Sequence, residues 1–295
     1  MNKVGFIGLG IMGAPMSRNL MKAGYPVMVF NRSRGPMEAA ARDGAEMAES
    51  LAHLAAECGV IFTMLPNSPQ VKEVILGGDG VASAARPGTL IIDMTSGSPS
   101  DSRDLYAALR EKGIHFLDAP VSGGEPMAIA GTLAVMAGGD KSDFERALPY
   151  LRAVGKTATW VGPSGSGNTC KLVNQVIVAV NIAGLAEGLM LAEKAGADTQ
   201  LVFEAIRGGL AGSNVMNAKA PMMLADSYAP GFKIDLHIKD LSNALDAGAL
   251  FGAPLPLAKQ MLEILEELSE NGDGSSDHSA IARHYEKLGG VTFAG

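Results

Sequence analysis

Residues 3–20 read KVGFIGLGIMGAPMSRNL: an apolar run, glycines at 8, 10 and 13, then a stretch with helical periodicity. A strand that enters a glycine turn and leaves it as a helix is the first half of a βαβ unit, and few local patterns restrict a fold as much. Lys3 to Ile7 reads as a short buried strand, and the helix is expected to run to about Ala23, where Gly24 stops it. Each glycine meets a different steric demand. Gly8 permits the tight turn, Gly10 lets backbone approach a pyrophosphate with no Cβ in the way, and Gly13 allows the helix to lie close on the strand. The helix N-terminus adds N–H donors and a partial positive charge. The turn, with Leu9, Ile11 and Met12 among its glycines, is therefore expected to hold the phosphates of a dinucleotide.

Short β-rich runs alternate with helical patterns through about residue 160: Val27 to Phe30, Val60 to Leu65, Leu90 to Asp93, His115 to Leu117, Leu133 to Ala137 and Thr159 to Val161. Such alternation predicts a parallel sheet with helices on both faces. After Gly167 the sequence turns helical almost to its end. Lys171 to Ala192 is long and apolar, but Asn174, Gln175, Asn181 and Glu187 interrupt it too often for a membrane span. It is expected to be a helix buried on most sides between two domains. Leu201 to Ile206, Leu236 to Ala249 and Pro256 to Glu270 carry helical periodicity, and Asp277 reads as the N-cap of a last helix from about His278 to Lys287. The linker GPSGSGNT, Gly162 to Thr169, marks the division. The expected architecture is an α/β Rossmann-type dinucleotide-binding domain over residues 1–162, followed by an all-α domain over 163–295 that binds substrate and makes subunit contacts.

Composition narrows the function class. Among 295 residues, 47% hydrophobic and 19% charged describe a globular chain with a sizeable core, and a net charge of −7 leaves no basic face for nucleic acid or anionic lipid. A small-molecule substrate is the expected partner, with no nucleic acid and no membrane. The two cysteines, Cys58 and Cys170, have no CxxC partner or His/Cys cluster, so free buried thiols are expected rather than a disulfide or a metal site. The first apolar run is already the first strand, so a cytoplasmic location is expected. An apolar helical domain of this size suggests a homo-oligomer.

Cofactor choice is read at the end of the second strand, where NAD-specific sites place an acidic residue on the ribose. Here the residues are Asn31, Arg32, Ser33 and Arg34. No carboxylate repels a 2′-phosphate and two guanidiniums stand nearby, so NADP(H) is the expected cofactor, with NAD(H) use left open. The alternative is that Arg32 and Arg34 cap a solvated loop.

Two further segments carry chemistry. In DAPVSGG, Asp118 to Gly124, a strand ends, Pro120 forces an extended turn, and Ser122, Gly123 and Gly124 offer a hydroxyl and closely spaced N–H groups, a nest suited to a carboxylate. Asp118 either contacts substrate or orients the loop by accepting N–H bonds. Lys171 lies in the pattern GxxGxGxxxKxxN, from Gly162 to Asn174, and shares a helix face with Asn174 at i+3. Hydride delivery to an aldehyde leaves charge on oxygen, which a lysine can stabilise and protonate; burial that lowers its pKa suits it to both directions of the reaction. The competing reading is a lysine snorkelling from a helix end.

These motifs, with KDLSNALD from Lys239 to Asp246, occur in the order of the β-hydroxyacid dehydrogenase family, which the chain resembles over most of its length. IRGGLAGS at 206–213, GFKIDLHIKDL at 231–241 and DHSA at 277–280 are most similar to the tartronate semialdehyde reductase branch. The resemblance implies that Lys171 is catalytic, that Ser122, Gly123, Gly124 and Asn174 bind substrate, and that Lys239 reaches the nicotinamide end of the cofactor. Leu65, Pro66 and Thr95, after their strands, would line the cofactor cleft. The family often has two asparagines where this chain has Asn174 and Gln175, so only the role of Asn174 carries over. Ser213 either touches substrate or caps a helix. His115, His237, His278 and His284 have no metal-like spacing and receive no catalytic role. The implied reaction is reduction of a small 3-oxo acid by NAD(P)H, tartronate semialdehyde to glycerate, with succinic or methylmalonic semialdehyde as competing substrates. A non-catalytic dinucleotide sensor is the reading from another class.

Overall fold

The structure, a computed structural model, describes residues 3–294. The chain divides into two compact units after Lys171, within the span of one helix.

The first unit is built on nine strands: β1 (Val4–Ile7), β2 (Val27–Phe30), β3 (Glu46–Met47), β4 (Val60–Thr63), β5 (Leu90–Asp93), β6 (His115–Asp118), β7 (Val121–Ser122), β8 (Leu133–Gly139) and β9 (Gly155–Gly162). Between them run α1 (Gly13–Lys22), α2 (Arg34–Arg42), α3 (Leu51–Glu57), α4 (Ser68–Leu76), α5 (Val81–Ala84), α6 (Pro99–Arg110), α7 (Gly124–Ala130) and α8 (Lys141–Val154). The sheet order is β3-β2-β1-β4-β5-β6-β8-β7, with β9 on β8. The chain winds outward from β1 in both directions, which puts the switch point between β1 and β4. Side chains of successive strand residues face opposite ways. Val4 and Phe6 of β1 join Phe62, Met16, Leu20 and Phe144 in one core, while Ile7 joins Ile61, Leu54, Ile75 and Leu105 in another. Helices cover both faces, so both must be apolar, and the strands read as unbroken hydrophobic runs.

The expected all-parallel sheet holds for β1 to β6 and fails beyond. β8 pairs antiparallel with β6 and with β7, and β9 returns parallel to β8. A parallel crossover needs a dozen or more residues with a packed helix. Between β7 and β8 the chain has only the seven-residue α7, too short for that return. The two-residue strands β3 and β7 carry too little pattern to be read from sequence.

The second unit holds the rest of α9 (Ser166–Lys194), then α10 (Thr199–Ile206), α11 (Asn214–Leu224), α12 (Ile234–Phe251), α13 (Pro256–Leu268), a 3₁₀ turn at His278–Ile281, and α14 (Ala282–Gly289). By length and a mean hydropathy of 1.7, α9 could cross a membrane. Its Ala179, Ile182, Ala183, Ala186 and Leu189 instead form the core of this unit with Phe203, Met223, Leu241 and Leu265. The last helix begins later than its sequence signature, because Asp277 caps the 3₁₀ turn by accepting from the backbone of Ser279. α11 has no signature in the sequence, because its apolar residues follow no helical period and Pro221 lies inside it. Both cysteines are free; Cys58 is buried, which pushes its thiol up to about 12, but Cys170 is half-buried rather than enclosed as expected.

Candidate active site

The carboxyl ends of β1, β2 and β4 converge on the glycine turn. Gly8 sits at φ +97°, and a Cβ there would strike the carbonyl oxygen of Met64 just past β4. Gly13 has no room either, since its Cβ would overlap the carbonyl of Gly8. Gly10 differs. Among the described residues nothing lies within 4 Å of its would-be Cβ, and no side chain caps the N-terminus of α1. An open, Cβ-free approach to an uncapped helix start is what a pyrophosphate requires, so the turn fits the cofactor expected there. Ile11 is exposed beside it, while Leu9 turns its side chain into the core.

Asn31, at the end of β2, braces the turn: its Oδ1 accepts from the N–H of Leu9 at 2.9 Å and its Nδ2 donates to the carbonyl of Ser33 at 3.0 Å. Arg32 and Ser33 are exposed. Arg34 is engaged with Glu38 at 2.9 Å, which leaves Arg32 as the guanidinium of this loop without an ion-pair partner among the described residues. Across the switch point, Thr95 Oγ1 accepts from the N–H of Leu65 at 3.0 Å. Both loops hang on Asp93, whose Oδ1 accepts from Thr63 Oγ1 at 2.7 Å and from the N–H of Thr95 at 3.1 Å. Burial pushes the Asp93 carboxyl up to about 6. In the sequence Asp93 reads only as a strand end; an acid closing an apolar strand is the one local signal of its role. Pro66 follows Leu65 and is exposed.

DAPVSGG ends β6 and forms β7. Gly123 and Gly124 have φ of +139° and +67°, backbone that favours glycine, and a Cβ on Gly123 would crowd Met127. Ser122, just before them, is half-buried. Asp118 has the orienting role. Fully buried, it accepts from the N–H of Gly165 at 2.8 Å and of Asn168 at 2.9 Å, tying the start of α9 to the end of β6. Burial pushes its carboxyl up to about 6 against the pull of those bonds. The GxxGxG spacing follows from this contact: Gly162 and Gly165 have φ of +140° and +87°, and a Cβ on Gly167 would strike the carbonyl of Asp118. Asn168, a residue the motif treats as variable, adds a second tie by accepting from the N–H of Gly97 at 2.9 Å and donating to Ser102 Oγ at 2.9 Å. On the helix so fixed, Lys171 is 6% exposed.

In the helical unit Asn174 is half-buried, and Lys239 places its Nζ 3.0 Å from Asp240 Oδ1. Ser213 is a helix cap: its Oγ accepts from the N–H of Met216 at 2.9 Å. Among the described residues no group of three or more His, Cys, Asp or Glu is arranged to hold a metal ion. His237 and His278 are paired and buried, a contact their separation in sequence does not announce.

Comparison with known proteins agrees with this layout. Residues 3–162 match the model of the NAD binding domain of 6-phosphogluconate dehydrogenase, and residues 165–285 match the NAD-binding model of NADP-dependent 3-hydroxyisobutyrate dehydrogenase. The chain is 41% identical to the 2-hydroxy-3-oxopropionate reductase of Escherichia coli K12, over 97% of its own length and 98% of the relative's. It is 40% identical to the 2-(hydroxymethyl)glutarate dehydrogenase of Eubacterium barkeri, over 99% and 98%. Among solved structures, the 3-hydroxyisobutyrate dehydrogenase of Mycobacterium tuberculosis, determined with L-serine, superposes with a TM-score of 0.90 at 35% identity, covering 96% of this chain and 99% of that one. With an NAD(P)-binding sheet and a helical unit that both match over nearly their whole length, the chain belongs to the 3-hydroxyisobutyrate dehydrogenase-like family of β-hydroxyacid dehydrogenases.

Proposed function

We propose that the chain reduces a small 3-oxo acid, tartronate semialdehyde to glycerate, with NADPH preferred and NADH used less well. The observation that carries this is Lys171. It is 6% exposed, on a helix whose first turn Asp118 pins to the carboxyl end of β6, in the same unit as the glycine turn. Bound nicotinamide supplies a hydride to C3 of the substrate. Lys171 neutralises the charge that develops on the carbonyl oxygen and then protonates it. The Ser122 hydroxyl and the N–H groups of Gly123 and Gly124 hold the carboxylate, Asn174 takes the substrate hydroxyl, and Lys239 contacts the cofactor. Leu65, Pro66 and Thr95 line the cofactor's path, and Gly8, Gly10, Ile11 and Met12 surround its phosphates. The likeness to a 2-hydroxy-3-oxopropionate reductase supports the substrate.

The test is a panel of tartronate, succinic and methylmalonic semialdehydes assayed with NADPH and NADH. The expected result is the highest kcat/KM for tartronate semialdehyde with NADPH. A clear preference for another semialdehyde refutes the substrate, and no turnover with any of them favours a cofactor-binding sensor.

Two variants separate the cofactor contacts. Arg32→Ala removes a charge-assisted contact to a 2′-phosphate, worth about 2 kcal/mol, so KM for NADPH is expected to rise roughly thirtyfold. KM for NADH, which lacks that phosphate, should hold; equal losses with both cofactors would refute the assignment. Gly10→Ala adds a methyl group where the protein has open space but the pyrophosphate must approach. Thermal melting should barely move while NADPH affinity falls at least about tenfold. Retained affinity would place the phosphates elsewhere.

A further inference from the structure

Lys239 and Asp240 are neighbours on α12, and adjacent residues on a helix point about 100° apart. Their charged ends nevertheless meet at 3.0 Å, with the Asp240 side chain 1% exposed and that of Lys239 22% exposed. The carboxylate is therefore the fixed member and the lysine bends to it. What fixes Asp240 is Gln175 on α9, whose Nε2 donates to Asp240 Oδ2 at 2.7 Å while Gln175 itself is 4% exposed. The backbone of Gln175 is held as well. His237, three residues before Asp240 and so on the same face of α12, has Nε2 3.2 Å from the Gln175 carbonyl. A carbonyl only accepts, so His237 Nε2 is the donor in that contact. The Nδ1 of His278 lies 2.9 Å from the Nδ1 of His237, so one ring donates to the other. Both rings are buried, at 1% and 5% exposure.

The grip therefore has two points, His237 on the backbone of Gln175 and Asp240 on its side chain. Asp240 is in turn paired with a cation, the Lys239 ammonium. We propose that Gln175, Asp240 and His237 form a positioning unit whose output is the location of the Lys239 ammonium toward the cofactor. This rests on the reading of Lys239 as a cofactor contact given above. It also gives Gln175 a function of its own: an asparagine there would be one methylene too short for the 2.7 Å contact to Asp240.

A double-mutant cycle on NADPH kinetics tests it, with Asp240→Asn, Lys239→Met and the double variant. Asp240→Asn keeps volume and can still accept from Gln175, but offers Lys239 no charge. If Asp240 acts through Lys239, the single change raises KM for NADPH about tenfold, and it adds nothing once Lys239 is Met. The kcat at saturating NADPH should move less than about threefold in Asp240→Asn, a split that a general loss of fold would not give. Effects that multiply in the double variant, or a silent Asp240→Asn beside an impaired Lys239→Met, overturn the proposal. A silent Lys239→Met refutes instead the cofactor role of Lys239. Gln175→Met serves where Asp240→Asn does not fold: it leaves the ion pair but removes its anchor, and it too should raise KM for NADPH only while Lys239 is present.

Discussion

Lys171→Met is expected to lower kcat for semialdehyde reduction by about 10²–10⁴, the contribution of a positioned general acid, while NADPH binding is retained. Methionine keeps the apolar stem that buries the residue and leaves the helix anchor untouched, since Asp118 holds Gly165 and Asn168 through backbone N–H groups. The loss should therefore appear in the chemical step. Single-turnover NADPH oxidation with tartronate semialdehyde reads that step, and quenching or enhancement of NADPH fluorescence reads binding. Turnover within a few fold of the unaltered enzyme would remove Lys171 from the mechanism. Loss of both turnover and binding would mean that the lysine is structural, the snorkelling role that its position near a helix start also allows.

What the sequence made legible follows from how local each signal is. The glycine turn is local: backbone of the turn and of one neighbouring strand constrains Gly8 and Gly13 and leaves Gly10 open, so their spacing alone carried the steric argument. The strands buried on both faces were equally plain, because Val60 to Thr63 and Leu90 to Asp93 have no polar alternation to confuse them. The antiparallel turn of β8 was not legible. It depends on what seven residues of α7 cannot span, a matter of chain length rather than pattern. Asp93, Asn168 and the Gln175–Asp240–His237 grip were missed for one shared reason. Each joins positions about thirty or more residues apart, where a side chain's type shows that it needs a partner without showing which.

Asp277 shows how much of the helical unit such a contact can carry, and its replacement is expected to unfold that unit selectively. The side chain is fully buried. Oδ1 accepts from Ser279 N–H and Oγ at 3.0 and 2.7 Å, and Oδ2 from the N–H groups of Gly231 and Phe232, both at 3.0 Å. Lys219 bridges both oxygens at 2.9 and 3.0 Å. Burial alone would raise its carboxyl; the charges of His278 and Lys219 and these hydrogen bonds reverse that and bring it down to about 2. Asp277→Ala should cost about 3–5 kcal/mol, because it strands the Lys219 ammonium and several N–H donors. Asp277→Asn should cost nearly as much, since either orientation of the amide sets its NH₂ against two or more donors. Acid should reproduce the effect by titration. A carboxyl lowered in the folded state contributes stability above its ordinary value near 3.8 and loses it as pH falls toward about 2. Asp93 and Asp118 run the other way: raised to about 6, they favour the folded first unit as pH falls through 6. Between pH 4 and 2 the helical unit should therefore melt first, with far-UV circular dichroism falling before the fluorescence of Trp160, the single tryptophan, on β9 of the first unit. A simultaneous loss of both signals would mean that Asp277 does not set the acid limit of its unit.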